Sequence, residues 1–229
     1  MGQHRAILLA IDTCGATGSV ALGRLESGAP LTRILATAQL QGKTYSSLLI
    51  PRIGDVLREA QATLAQVAAI VIVNGPGSFT GVRVGVSTAK GLAEGAGTPL
   101  IAVSRLELLA RRAGGSACVA IDAGRGEFYF GMYRESKREL EALYTKDEIF
   151  QAVRDSGLPL AVCEESIAAS LAELNPLFVL EPTAGDALVA GAARFAVGAF
   201  EDAATLDGNY LRRPDAEKTL LGASASSAL

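Results

Sequence analysis

Two aspartates and one glycine-rich turn are the residues of this chain best placed to do chemistry. Asp12 follows the apolar run Ala6–Ile11 and leads into Thr13-Cys14-Gly15. Asp122 follows the apolar run Ala117–Ile121 and leads into Ala123-Gly124. Two facing carboxylates at the ends of two strands can do acid–base work or hold Mg²⁺. The competing reading is local: each aspartate caps its own turn through Asx hydrogen bonds. Neither has an obvious lysine or second acid beside it in sequence.

The turn Gly75-Pro76-Gly77 follows the apolar run Val67–Val73 and enters a helix near Ser78 or Thr80, both usable N-caps. A strand–turn–helix of this kind points backbone N–H groups at an anion, so Gly75–Gly81 is a candidate phosphate cradle. Several features favour a purely structural turn. There is no G-x-x-x-x-G-K-[ST] pattern. Pro76 removes a donor, and the next basic residue, Arg83, lies past the turn. The spacing also misses the dinucleotide fingerprint by one residue. His4 is the only histidine, so neither an H-E-x-x-H zinc site nor a pair of metal-binding histidines can be built. Cys14, Cys118 and Cys163 sit in or beside apolar runs and form no C-x-x-C pair, which predicts buried free thiols.

The elements that carry these residues alternate between strands and helices. Strands are predicted at Ala6–Ile11, Thr17–Leu25 and Leu31–Leu40. A helix at about Thr44–Ala62 has an apolar face of Leu49, Ile53, Val56, Leu57 and Ala60, widened by Leu48 and Ile50. After the strand Val67–Val73 comes the glycine-rich helix, in which Gly81, Gly85, Ala89 and Ala93 form a stripe with almost no side chain. Gly85 and Gly91 each cost roughly 1 kcal/mol relative to alanine there. That cost is easiest to carry where another backbone comes close, so this helix is a docking surface for its own sheet or for another subunit. A strand Pro99–Val103 and a helix Ser104–Ala113 follow, with Ser104 and Glu107 spaced as a capping box.

The order then restarts. Ala10-Ile-Asp12 is echoed by Ala120-Ile-Asp122. Strands are predicted at Ala117–Ile121, Glu127–Arg134, Glu139–Tyr144, Leu160–Cys163 and Leu177–Leu180. Helices are predicted at Lys146–Asp155, Ser166–Leu174 and Gly185–Phe200. The repeat predicts an α/β protein of two like lobes, each βββαβαβα, with a boundary near Val103–Ser104. Residues 1–103 form the first lobe, 104–218 the second, and 219–229 a frayed tail.

The chain has 229 residues, 49% of them hydrophobic, enough for one large domain or two small cored lobes. The net charge of −3 and the absence of a basic stripe argue against autonomous nucleic-acid binding. No apolar run approaches the roughly 20 residues that span a bilayer. The N-terminal residues Met1–Ala6 lead straight into a strand too short for a signal-peptide core, so none is expected. A cytoplasmic protein is expected.

A duplicated lobe with an aspartate ending each first strand looks like the actin/Hsp70/sugar-kinase (ASKHA) superfold. More closely, the chain resembles the bacterial YeaZ (TsaB) family. The resemblance rests on Leu9-Ala-Ile-Asp-Thr13 and above all on Asn74-Gly-Pro-Gly-Ser-Phe-Thr-Gly-Val-Arg83. Lys90-Gly-Leu-Ala93, Val103-Ser104, Ile121-Asp-Ala-Gly-Arg-Gly-Glu127 and Asn209-Tyr-Leu-Arg212 also fit. At Lys43-Thr-Tyr-Ser46 the chain departs from it, with Tyr45 where a histidine is expected.

The resemblance implies a non-catalytic subunit with no cofactor of its own. It would bind a larger catalytic paralogue, TsaD, which transfers a threonylcarbamoyl group from its adenylate to adenosine 37 of tRNAs reading ANN codons. A small ATPase, TsaE, would engage the complex, ATP being used by the complex, and tRNA would be met only indirectly. Homodimers alone and heterodimers with TsaD would both use first-lobe helices, which nominates Leu49, Ile50, Ile53, Leu57, Gly81, Val82, Gly85 and Ala89 as the interface. Gly85→Leu is then expected to keep the fold and block both dimers. Arg125 and Glu127 are either turn residues or partner contacts, and Tyr210-Leu-Arg212 is a structural tie. Asp12 and Asp122 resemble the paired acids of active ATPases of the superfold, so Asp12, Thr13 and Asp122 are the residues for any nucleotide contact. The competing functions are an independent ATPase or kinase and a glycoprotease-like metallopeptidase.

Overall fold

A computed structural model describes residues 6–25, 33–42 and 44–212. His4, Lys43, the first two residues of the predicted third strand and the tail 219–229 lie outside the described residues. The first half contains β1 (Ala6–Asp12), β2 (Thr17–Leu25), β3 (Arg33–Gln41), α1 (Tyr45–Glu59), β4 (Val67–Val73), α2 (Phe79–Ala96), β5 (Leu100–Val103) and α3 (Arg105–Arg112). The second contains β6 (Ala117–Gly124), β7 (Glu127–Arg134), β8 (Lys137–Thr145), α4 (Lys146–Ser156), β9 (Leu160–Val162), α5 (Glu165–Ser170), β10 (Leu177–Phe178) and α6 (Ala184–Ala196).

The sheets are ordered β3-β2-β1-β4-β5 and β10-β9-β6-β7-β8, the same topology written in opposite directions. In each, the first three strands are an antiparallel meander and the last two join in parallel. The alternation of a pleated strand explains how β4 serves two layers. Ile72 meets α2 at Gly85, while its neighbour Val71 meets α6 at Gly191. Val71 and Ile72 are therefore both fully buried.

α6 corrects the predicted boundary. Ala184, Ala187, Leu188, Ala190 and Ala192 belong to the core of the first sheet, not the second. Conversely, Leu106, Leu109 and Ala110 of α3 join Val119, Ile121 and Tyr133 in the core of the second sheet. The last helix of each half thus crosses to the other half's sheet. Val103–Ser104 marks the repeat in the chain, but each lobe is completed by a helix from the other half. The result is the two-lobed, actin-like arrangement.

Two local expectations are also revised. α6 stops at Ala196 rather than Phe200, where Gly198 takes a left-handed conformation (φ +67°) that ends a helix. The predicted capping box of α3 is half made. Ser104 Oγ accepts from Leu106 N at 3.2 Å, but Glu107 turns away to two arginines.

Candidate functional site: the inter-lobe cleft and the first-lobe helices

Parallel neighbours of β1 and β6 bring their C-terminal ends to one cleft, where a cavity of about 990 Å³ lies between the lobes. Thr17, Tyr45, Ser78, Arg105, Asp122 and Glu164 are among its lining residues. The two aspartates meet different fates there. Asp122 is exposed and lines the cavity, whereas Asp12 is 2% exposed. Both make the same local bond. Asp12 Oδ1 accepts from Cys14 N at 2.9 Å, and Asp122 Oδ1 accepts from Gly124 N at 2.7 Å. The Asx-turn reading therefore holds at both positions.

Burial raises the Asp12 carboxyl above its ordinary value, an effect opposed by the neighbouring Arg105 guanidinium and by the Cys14 N–H. Arg105 is 5% exposed and ion-paired with Glu181. Burial works against its charge, but Asp12, Cys14 and Glu181 outweigh that. Asp122, Glu164 and Glu181 line the cleft against Arg105 alone, so its wall is predominantly acidic. Burial also raises the Glu164 carboxyl.

Thr13 does not face the cavity as a ligand contact. Its hydroxyl donates to Gly81 O at 2.7 Å, and the residue is fully buried under α2. A Cβ on Gly81 would overlap the Thr13 carbonyl, and one on Gly85 would overlap its hydroxyl. The Gly-Pro-Gly turn is similarly committed to its own chain. Ser78 N donates to Cys14 O at 2.8 Å, and a Cβ on Gly77 would overlap that same carbonyl. Gly75 O accepts from Arg105 N at 2.7 Å, and Ser78 Oγ caps Gly81 N at 3.3 Å. These groups tie the turn to β1 and α3.

The smooth stripe of α2 therefore docks on its own chain, against Thr13 at the end of β1 and Ile72 of β4. Of the residues nominated for an interface, Leu49, Ile53, Gly81, Val82, Gly85 and Ala89 are buried inside the first lobe. Gly85→Leu would force a side chain into Thr13 and Ile72, so the expectation that it keeps the fold is withdrawn. Ile50 (54% exposed) remains accessible, Leu57 is half-buried, and Leu48 (38% exposed) joins them. Gly54 on α1, and Gly91 and Gly95 on α2, have no atom within 4 Å of a built Cβ. The sequence carried this distinction. Val82 and Val86 flank the inward stripe, whereas Arg83, Ser87 and Glu94 flank the open one.

Tyr45, standing where a histidine was expected, joins α1 to the first turn. Its hydroxyl donates to Gly15 O at 2.8 Å, and burial pushes its pKa up to about 12. Cys14, Cys118 and Cys163 are free thiols; Cys14 and Cys118 are buried as predicted, whereas Cys163 is only half-buried. Burial raises Cys163 to about 11 and Cys14 well above the ordinary thiol value, so neither is poised as a nucleophile. Among the described residues no group of His, Cys, Asp or Glu could hold a metal ion, and no helix is long and apolar enough to cross a membrane.

The 201–212 segment straps both lobes, which sequence patterning showed only as the Tyr210-Leu-Arg212 tie. Asn209 N donates to Asn74 O at 2.6 Å, and its side chain donates to Glu141 at 2.6 Å. Tyr210 packs on Phe79 with ring centroids 5.4 Å apart. Arg212 bonds Gly124 O at 3.0 Å and Glu127 at 2.6 Å, so Glu127 serves an internal ion pair.

This geometry can be set beside known proteins. The family model described as "TsaD: tRNA N6-adenosine threonylcarbamoyltransferase" matches residues 38–226. Escherichia coli TsaB, the tRNA threonylcarbamoyladenosine biosynthesis protein, is 36% identical over 135 residues, 57% of this chain and 56% of that protein. The structure of YeaZ from Pseudomonas aeruginosa superposes with a TM-score of 0.74 at 29% identity, covering 90% of this chain and all of that one. The chain belongs to the TsaB/YeaZ family. The matched part spans a little over half the length of the first curated relatives. Beyond the family, the two-lobed fold alone is shared with a Clostridium difficile dehydratase activator solved with ADPNP, at a TM-score of 0.50 and 10% identity.

Proposed function

We propose that this TsaB/YeaZ chain is a non-catalytic subunit in the biosynthesis of threonylcarbamoyladenosine in tRNA, acting in the cytoplasm by docking on the larger catalytic paralogue TsaD. The observation that carries the proposal is the open, solvent-facing flank of α1 and α2. Leu48, Ile50 and Pro51 are exposed there, and Gly54, Gly91 and Gly95 leave room for a second backbone to approach. A specific interface buries about 1,600 Å² in total and depends on a few anchors, a role suited to Leu48 and Ile50. The same flank would support a homodimer when the paralogue is absent.

The cleft supports the non-catalytic part. Both candidate acids are held in turns, the glycine-rich loop bonds its own chain, and the acidic wall repels phosphates. ATP is then consumed elsewhere in the complex, with TsaE as the second partner and tRNA met through TsaD. Tagged purification from the native cell at endogenous level tests this. The larger paralogue and the ATPase should come down in defined stoichiometry. A protein recovered alone, or one that hydrolyses Mg·ATP unaided in calorimetry, contradicts it.

A further inference from the structure

A second cavity, of about 660 Å³, opens where α3, α6, the start of β8 and the 201–209 segment meet, and shares no lining residue with the inter-lobe cleft. Arg111, Lys137, Arg138 and Arg194 line it against Glu107 and Glu201. These cations come from distant parts of a chain whose net charge is −3, so no basic stripe announced them.

Their partners leave donors in surplus. Glu107 accepts from Arg111 Nε at 3.0 Å and from Arg194 Nη2 at 2.6 Å, one carboxylate orienting two guanidiniums. Each guanidinium has five N–H donors, so both keep further edges. Arg194 Nη1 is buried and has no partner among the described residues. Such an orphan is costly unless something satisfies it. Lys137 is exposed and ion-pairs with nothing among the described residues. Arg138 reaches Glu141 only at 3.6 Å, and Glu141 is already occupied by Ser104, Tyr133 and Asn209.

We propose that this cavity binds a small, multiply charged phosphoanion through Arg111, Lys137, Arg138 and Arg194. Guanidinium forks beside a mobile ammonium suit the several oxygens of a phosphate group. The volume lies in the range of small-molecule sites. A nucleic-acid backbone is met by cations laid along a surface; here they converge on one concavity, which selects a compact ligand.

Calorimetry of the full chain with inorganic pyrophosphate tests the site. Saturable one-to-one binding is expected, weakened at least tenfold in Lys137→Gln/Arg138→Gln, two exposed positions whose replacement leaves the thermal unfolding curve in place. Asp122→Asn in the other cleft should bind as the parent does. No heat up to millimolar pyrophosphate, or affinity unchanged in the double variant, overturns the proposal. So does tRNA binding that depends on Lys137 and Arg138 without any for pyrophosphate, which would make this a nucleic-acid surface.

Discussion

The two halves of the chain share one topology and have been put to different uses. In the first, the helix after the fourth strand is the 18-residue α2; its counterpart in the second is the six-residue α5. The fifth strand of the first half has four residues, and that of the second only two. The leading aspartates diverge as well: Asp12 is sealed beside Arg105, while Asp122 stands in solvent with its own Asx turn. The longer helix lies in the first half, on the surface that the proposed docking would use.

The contrast between the two faces of α2 is the sharpest to break. Gly85→Leu should destabilise the first lobe by about 3 kcal/mol or more, since overpacking there meets Thr13 rather than a yielding side chain. Gly91→Leu, on the open face, should raise stability in urea by roughly 0.5–1 kcal/mol, because it replaces a mid-helix glycine with a good helix former where a Cβ meets nothing. Equal effects at the two glycines would erase the distinction.

The exchange of last helices comes next. Leu188→Ala in α6 removes a fully buried side chain from the first core and should cost about 2–5 kcal/mol. Amide exchange should then quicken in β1 and β4 more than in β6 and β7. The reverse order would return α6 to the second lobe.

A smaller effect separates the two aspartates. Because the folded-state pKa of Asp12 is raised, the native state binds a proton that the unfolded chain has already lost. Its contribution to stability therefore falls as pH rises from the ordinary carboxyl value of about 3.8 towards the folded pKa. Asp12→Asn should remove that slope from urea titrations run upward from about pH 3.8. Asp122→Asn, at an exposed position, should leave the neutral-pH stability within about 0.5 kcal/mol.

Much of this was legible in the residues. Apolar runs ending in aspartate gave both first strands, and the echo of Ala10-Ile-Asp12 at Ala120-Ile-Asp122 gave the duplication. What stayed hidden was long-range. Nothing local in Ala184–Ala196 says which sheet it covers, since its alanines and Gly191 fit either, and only the fit to Val71 decides. The glycine stripe was rightly read as a close-approach surface, but periodicity cannot name the approaching backbone, which is Thr13. The basic cavity was invisible because its cations lie on α3, β8 and α6, far apart in the chain.

The docking claim is tested most directly by coexpressing Ile50→Glu with the larger catalytic paralogue and measuring complex mass by light scattering. The account predicts a folded protein with unchanged thermal unfolding that elutes as a monomer, apart from the paralogue. A heterodimer of unaltered affinity would contradict it.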